Sequence, residues 1–104
     1  MKFIFIYITN PNKNQAQKIA KQLLKERLIA CANIFPIESL YWWQGKITAD
    51  NEYVLIAKTL EKNYQKVKEK VEKIHPYKIP CITKIPITPN KKYSNWLKNE
   101  LKEK

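Results

Sequence analysis

The chain contains very little glycine, histidine or aspartate: among its 104 residues it has one of each, Gly45, His75 and Asp50. A phosphate-binding loop of the P-loop or dinucleotide type needs several glycines, so the sequence excludes both classes of nucleotide site. A catalytic triad, in which a base activates a nucleophile and a third residue orients the base, could use only His75 as its histidine. A structural zinc site normally needs four cysteine or histidine ligands, and one chain offers three at most. One chain alone is therefore poorly equipped for catalysis or metal binding.

Long hydrophobic runs are also lacking. No apolar run approaches the length that a helix needs to cross a bilayer. The short run after Lys2 precedes NPNKNQ instead of small cleavage-site residues, which argues against a signal peptide. We therefore expect a cytosolic protein with no membrane partner, in which Cys31 and Cys81 are reduced thiols.

Positive charge is abundant, but arginine is scarce. The formal net charge is +11, and nineteen of the twenty basic residues are lysine. Lysine, isoleucine and asparagine have A/T-rich codons, so a biased genome explains this balance on any solvated surface. Lysine lacks the bidentate fork that suits phosphate and base recognition. The single glycine also excludes the ribonucleoprotein pattern of sheet-type RNA readers, and we expect no nucleic-acid partner.

The length and the periodicity of apolar residues predict a single domain, residues 1–104, with the element order strand, helix, strand, strand, helix, strand, helix. The first strand, Lys2 to Thr9, is apolar on both faces, as expected for a covered central strand. TNPN predicts a helix start, with Asn10 as the cap and Pro11 at the first helical position. This order is the α+β, ferredoxin-like split βαβ sandwich, with an extra C-terminal helix.

The middle of the chain, from about residue 29 to 60, predicts a long two-stranded β-hairpin arm. The polar sequence ADNE, residues 49–52, predicts its turn, in which Asp50 and Glu52 would be ordinary turn residues. Tyr41, Trp42 and Trp43 are consecutive, so aromatic side chains point to both faces of the strand. Either the domain's own helices cover both faces or a neighbouring subunit does. Two helices and a short third cannot easily cover such a hairpin, so the sequence favours an oligomer with these aromatics at the interface.

The segment IHPYKIPC, residues 74–81, contains the only histidine and one of the two cysteines. The second helix must end near His75, because the residue before Pro76 is disfavoured in the helical region. His75 is thus predicted to cap this helix, at an end that favours a cation, with Tyr77 packed nearby. If the segment is extended, His75 and Cys81 stand about 20 Å apart, too far to share one ion. Only residues from other subunits or distant strands can complete a metal site here.

Other residues stand out within apolar strands. Cys31, in IACAN, has the surroundings of a buried small hydrophobe. Lys58, in LIAKTL, is either a strand-end charge that reaches water or a charge that faces a pocket. Pro80 and Pro86 place the fourth strand at a sheet edge or at strand ends. The terminal helix is predicted to face inward through Tyr93, Trp96, Leu97 and Leu101.

The segments ACANIFPIESLYWWQGKI, YVLIAKT, IHPYKIP and KKYSNWL, in this order and spacing, resemble the CutA divalent-cation tolerance family over nearly the whole chain. The resemblance implies a ferredoxin-like fold and a tight homotrimer formed through the extended strands. It also implies an association with tolerance to copper and other divalent metals, an architecture like that of the PII signalling trimers, and no enzymatic activity.

By position, Cys31 matches the family's cysteine, and His75 begins its H-P-Y-x-x-P motif. Where the family usually has glutamate after the last proline of that motif, this chain has Cys81. A thiol suits Cu(I) or mercury better than a carboxylate does. A cysteine that some metal-binding members carry before the threonine of the first strand is absent, since Ile8 precedes Thr9.

These observations lead to two hypotheses. The first is a cytosolic homotrimer that binds copper, another divalent cation or a small anion at subunit clefts, without chemistry on the ligand. Its predicted metal ligands are Cys31, His75 and Cys81, and Lys58 and Tyr77 line the clefts. The second is a PII-like trimeric signalling or scaffold module whose arm binds a partner protein.

Overall fold

The computed structural model describes residues 2–102 of the chain. Those residues form β1 (Phe3–Asn10), α1 (Lys13–Lys25), β2 (Cys31–Trp43), β3 (Lys46–Leu60), a 3-10 turn (Glu61–Asn63), α2 (Tyr64–Ile74), β4 (Ile82–Ile87) and α3 (Lys91–Leu101). The strands pair in an antiparallel sheet with the order β2-β3-β1-β4. The predicted α+β, ferredoxin-like architecture with a long hairpin arm and a C-terminal helix is confirmed.

The alternation of β1 places the core on one face of the sheet. Ile4, Ile6 and Ile8 are buried there. They pack with apolar residues of α1 and α2, namely Ile19, Ala20, Leu23, Val67 and Val71. The half-buried Phe3 and Phe5 point to the opposite face, which we call the outer face. Because β1 lies between β3 and β4, the prediction of a central strand is confirmed.

The start of α1 differs from the sequence prediction. The cap is Asn12, whose Oδ1 accepts a hydrogen bond from the Gln15 N–H at 2.8 Å. Asn10 is instead the fully buried last residue of β1, and its side-chain amide donates to the carbonyls of Ile8 and Tyr53. The strand therefore continues one residue beyond Thr9, because the pairing with β3 still satisfies its backbone at Asn10.

The arm turns at Gln44 and Gly45 rather than at residues 49–52. Both turn residues have positive φ, 50° and 76°, as in the two-residue turns that match the twist of a hairpin. The pairing of β2 with β3 runs without a break from Cys31 opposite Lys58 to Trp43 opposite Lys46. The polar sequence ADNE lies inside β3, so the predicted turn there is wrong and the arm is longer than expected.

The far half of the arm is exposed on both faces. Leu40, Trp42 and Ile47 are 77%, 72% and 69% exposed, and Tyr41 and Trp43 are 38% and 43% exposed. The chain's own helices therefore leave these apolar side chains uncovered.

The other end of the sheet agrees with the sequence in most respects. β4 is an edge strand, with Pro86 opposite Ile4, as its prolines predict. Helix α2 ends at Ile74 and is followed by extended backbone at His75, which confirms the predicted stop.

In α3 Leu97 is buried, but Trp96 is 44% exposed, so its predicted inward orientation is wrong. No helix within residues 2–102 is long and apolar enough to span a membrane.

Candidate functional site

A cleft of about 860 Å³ opens where the arm leaves the body of the domain. Its walls come from four parts of the chain: residues 37–43 of β2, the loop residues 76–79 with Cys81, Tyr7 and Thr9 of β1, and Glu52 of β3. We call it the arm cleft. The sequence-predicted residues Tyr77 and Cys81 both line it, together with the three predicted interface aromatics Tyr41, Trp42 and Trp43.

The floor of the arm cleft holds a chain of hydrogen bonds that begins at the end of α2. The His75 Nε2 lies 2.8 Å from the Thr9 carbonyl oxygen. The backbone N–H of Tyr77 donates to the His75 Nδ1 at 3.0 Å. Since Nδ1 accepts, the proton must be on Nε2, which donates to Thr9. The Tyr77 hydroxyl then donates to the Glu52 Oε2 at 2.5 Å, so one loop joins the helix end to β1 and β3.

The environment of His75 keeps its imidazole neutral. The side chain is buried, and burial lowers its pKa from the ordinary value, against smaller opposite effects of the Thr9 carbonyl and the Glu52 carboxylate. The prediction that His75 caps α2 near Tyr77 is confirmed, and the two rings lie 4.7 Å apart. The end of a helix favours a cation, but burial opposes the charged form of this imidazole.

Two tyrosines of the arm cleft donate to carboxylates. Burial, and then the hydrogen bond to Glu52, raise the pKa of Tyr77 far above its ordinary value, so this phenol stays protonated. The hydrogen bond from Tyr41 to Asp50 likewise raises the pKa of Tyr41. Because Glu52 is only 8% exposed, it is a buried acid of the cleft rather than an ordinary turn residue.

The sequence did not identify Glu52 because of the misplaced turn. With the turn at Gln44 and Gly45, strand alternation puts Glu52 on the outer face with Val54 and Lys58. The signal that could have placed the turn is Gly45, the only glycine in the chain. Tight hairpin turns favour glycine, because it adopts positive φ without strain.

Lys58 lies apart from the arm cleft of its own chain. Its Nζ is 3.4 Å from the Tyr93 hydroxyl, 5.3 Å from the centre of that ring and 5.8 Å from the centre of the Phe5 ring. Cys31 stands opposite Lys58 on β2. Burial and the neighbouring Cys31 thiol raise the pKa of Tyr93, and Lys58 opposes them. The outer face thus has a cationic end beside Cys31 and an anionic end at Glu52.

The predicted metal ligands are separated within one chain. Cys31 begins β2 at one edge of the sheet, and Cys81 precedes β4 at the other edge. Three strand spacings, about 14 Å, separate these edges. His75 can bind a metal only by giving up a hydrogen bond, since both ring nitrogens are occupied. No group of three or more histidine, cysteine, aspartate or glutamate side chains converges as a metal site in residues 2–102.

The chain is similar to a well-populated group of proteins. A family model described as CutA1 divalent ion tolerance protein matches residues 4–100. The divalent-cation tolerance protein CutA of Archaeoglobus fulgidus is 46% identical over 94 residues, which span 89% of this chain and 92% of that protein. The protein of the same name from Pyrococcus horikoshii is 44% identical over 101 residues, which span 96% of this chain and 99% of the relative.

Solved structures show the same likeness in three dimensions. The structure of the periplasmic divalent cation tolerance protein CutA from Archaeoglobus fulgidus has a TM-score of 0.94 at 42% identity, covering 96% of this chain and 99% of that one. The crystal structure of CutA1 from Oryza sativa also has a TM-score of 0.94 at 42% identity, covering 100% of this chain and 97% of that one.

Proposed function

The chain belongs to the CutA1 divalent ion tolerance family, and on that premise we propose that it is a cytosolic homotrimer that binds a divalent cation of the copper type at clefts between subunits. It holds the ion without chemical conversion and is not an enzyme. The exposed apolar side chains of the arm support the trimer. The separation of the Cys31 and Cys81 thiols within one chain supports a site between subunits.

The arm supports assembly because its apolar side chains have no cover of their own. Leu40, Trp42 and Ile47 alternate toward one face of the hairpin, and Tyr41 and Trp43 toward the other. Burying one such aromatic side chain against a neighbour contributes about 2–3 kcal/mol. A neighbouring copy that packs on both faces of the arm removes this exposure.

The two thiols support a metal site at the subunit boundary. Cys31 and Cys81 lie beside opposite edges of the sheet, and the register puts Cys31 level with Ile85, four residues beyond Cys81. A ring that sets the β2 edge of one chain against the β4 edge of the next, with that offset, brings unlike thiols together. Thiolate ligands select Cu(I) over hard cations. His75 contributes only if it releases Thr9 or Tyr77, and we therefore expect it to have the smallest effect of the three.

The oligomer is tested by light scattering on the purified protein at micromolar concentration. The expected mass is about three times the 12.4 kDa of one chain. A folded species with the mass of one chain contradicts the proposal.

Metal binding is tested by equilibrium dialysis with Cu(I), Cu(II) and Zn(II), on the wild type and on Cys31→Ser, Cys81→Ser and the double variant. We expect copper to be taken up more strongly than Zn(II), and the double variant to lose this copper uptake. Unchanged uptake in the double variant removes the thiols from the site. His75→Gln serves as a further variant, with a smaller expected loss.

The exposed arm also favours a second candidate, a PII-like signalling or scaffold module. Ile79, 74% exposed at the rim of the arm cleft, extends the apolar surface beyond the hairpin. In this case a protein partner binds the arm and the metal effect is indirect. A partner captured by the wild type but not by Trp42→Ser, with the trimer intact and no metal present, supports this candidate over the first.

A further inference from the structure

The sides of α1 and α2 that face away from the sheet carry two rows of lysine. Members of each row recur every three or four residues, so they share one side of their helix. The row on α1 lies opposite the buried side chains of that helix. The row on α2 faces α1, because the Lys70 Nζ lies 3.0 Å from the Oε2 of Glu26, the residue that follows α1. We call the two rows the lysine strip: Lys18, Lys21 and Lys25 of α1 with Lys66, Lys70 and Lys73 of α2.

Little negative charge balances the lysine strip. Helix α1 has no acidic residue, and Glu26 is engaged by Lys70. On α2, Glu69 borders the strip, but its carboxylate accepts a hydrogen bond from Gln65 at 3.2 Å. The other lysines of the strip are exposed and form no ion pair within residues 2–102. The strip is therefore an uncompensated positive surface on a chain whose net charge is +11.

The surplus of lysine in the chain accounts for the number of these residues but not for their arrangement. A solvated helix face is stabilised by opposite charges three or four residues apart, whereas like charges at these spacings destabilise it. Lys21 and Lys25 on α1, and Lys66 and Lys70 on α2, are like charges four residues apart. An anion bound across the two helices relieves this repulsion.

The lysine strip stays open in the proposed trimer. That assembly covers the arm and sets the two edges of the sheet, β2 and β4, against each other. α1 and α2 pack on the core face of the sheet, and the strip lies on the sides of these helices that point away from the core. No strip residue belongs to the arm, to a sheet edge or to the outer face. Three copies present three such strips on one particle.

The composition of the lysine strip indicates what kind of anion it suits. Each row is about 10 Å long, so the strip is a flat area of point charges rather than a pocket. It has no aromatic side chain on which a base could stack and no arginine fork. Lysine is depleted in the interfaces that proteins form with each other. Leu24 and Ile74, the exposed apolar residues of these helices, are only partly exposed and give no anchor for a lipid bilayer.

We propose that the lysine strip binds linear inorganic polyphosphate, with ammonium groups of both helices paired to successive phosphates of one chain. Such a chain carries closely spaced negative charge and neither bases nor side chains, so point charges on flexible stems are sufficient to hold it. An acidic peptide has backbone amides and side-chain stems between its charges, which the strip has no groups to recognise. The inference goes beyond the proposed metal binding, because it uses neither the thiols nor any surface of the trimer contact.

The proposal is tested by calorimetric titration of the full-length, metal-free protein with linear polyphosphate and, at equal phosphate concentration, with pyrophosphate. We expect polyphosphate to bind with a dissociation constant of about 1 μM or below in about 0.1 M salt. Pyrophosphate should bind at least about a hundredfold more weakly, since it cannot reach several lysines at once. Doubling the salt should weaken polyphosphate binding at least about tenfold. Absence of polyphosphate binding, or equal binding of the two compounds, overturns the proposal.

Removal of one row locates the site. Lys18→Gln combined with Lys21→Gln and Lys25→Gln should weaken polyphosphate binding at least about tenfold and lower the salt dependence by about one counterion per lysine. Polyphosphate binding that survives this triple variant contradicts the assignment. If the triple variant does not fold, Lys66→Gln with Lys73→Gln on α2 takes its place, with the same expected direction.

A second triple variant with the same loss of charge is the control. Lys13→Gln combined with Lys91→Gln and Lys92→Gln removes exposed lysines outside the strip. It should weaken polyphosphate binding less than about threefold, because only the distant field of the chain changes. Equal weakening in the two triple variants would mean that net charge alone matters, and it overturns the assignment to the strip.

The class of polyanion is tested by titrating duplex DNA, polyglutamate and phosphatidylserine vesicles at equal negative charge. Each should bind at least about tenfold more weakly than polyphosphate. Equal or tighter binding of any of them overturns the choice of polyphosphate as the partner.

Cysteine variants separate this proposal from the metal proposal. Cys31→Ser with Cys81→Ser should abolish copper uptake and leave polyphosphate binding unchanged, and loss of the α1 row should do the reverse. Loss of both ligands in either variant overturns the assignment of two separate sites. Because the strip lies within one chain, a single-chain mass in light scattering contradicts the trimer but leaves the polyphosphate titrations decisive.

Discussion

β3 passes through two environments, and the contrast between its halves shows what the arm lacks. From Glu52 to Leu60 the strand is buried or half-buried at every position, with β1 on one side and β2 on the other. From Lys46 to Asn51 it is exposed at every position except Thr48, although it pairs with β2 throughout. Pairing with β2 is therefore common to both halves, whereas pairing with β1 and the cover of side chains belong to the first half alone. We refer to the first half and the elements that pack on it as the body. The second half, with the part of β2 that pairs with it, is the far half of the arm described above.

Removing a core side chain tests the body most severely. Leu23→Ala is expected to lower the free energy of unfolding by about 2–5 kcal/mol, because Leu23 is fully buried and leaves a cavity. The adjacent Leu24→Ala is the matched control, since Leu24 is 38% exposed and should cost clearly less. Urea denaturation measures both, and equal losses would mean that the core assignment is wrong.

A substitution on the arm should act on assembly and spare the body. Trp42→Ser is expected to weaken association by about 2 kcal/mol per chain, because the indole loses its cover from a neighbour. Light scattering over a dilution series measures the loss, and circular dichroism should show an unchanged fold. Lys46→Ser, also on the arm but charged, should leave the mass unchanged. Loss of fold in Trp42→Ser would erase the distinction between arm and body.

Substitutions at the tip of the arm, Gln44 and Gly45, should change the free energy of unfolding only through the backbone conformation that each residue must adopt. Gly45 has a φ of 76°, and an added Cβ would meet nothing within 4 Å, so Gly45→Ala introduces strain without a clash. We expect a loss of about 1 kcal/mol, measured by urea denaturation. Gln44→Gly is the counterpart, because Gln44 carries a positive φ of 50° on a residue with a side chain. It should be neutral or slightly stabilising, and a loss as large as that of Gly45→Ala would argue against this turn.

The loop after α2, which begins at His75, should give the smallest effect, a pH dependence of the free energy of unfolding. Burial lowers the pKa of His75 below 6.5 in the folded chain, so the unfolded chain takes up its proton at higher pH. Stability from this group is complete above pH 6.5 and is lost as the pH falls through the folded pKa. His75→Gln should flatten this part of the profile, measured by denaturation at a series of pH values. Since the chain has one histidine, an unchanged slope would contradict the buried neutral imidazole.

Elements that depend on local signals were predictable from the sequence. The two apolar faces of β1 identified a central strand, and the His75-Pro76 pair identified the end of α2. Prolines in the fourth strand identified an edge. Each of these signals acts on the residue itself or its immediate neighbour, so no knowledge of the partner strand was needed.

Features that depend on pairing register were not predictable in the same way. ADNE is as polar as a turn, but the register set by Gln44 and Gly45 carries it into β3. The role of Glu52 follows from that register, since only its position in the pleat brings its carboxylate to Tyr77. Asn10 was mistaken for a cap because its pairing with Tyr53 across the sheet is invisible in the local sequence.

The placement of one thiol beside each outer edge of the sheet makes the symmetry of any assembly readable by crosslinking. Under mild oxidation, contact between unlike edges that brings Cys31 of one copy beside Cys81 of the next yields covalent rings or ladders. Contact between like edges joins Cys31 to Cys31, or Cys81 to Cys81, and stops at covalent dimers in either single-cysteine variant. A denaturing gel of the wild type and the two single-cysteine variants then distinguishes a head-to-tail ring from a two-fold dimer.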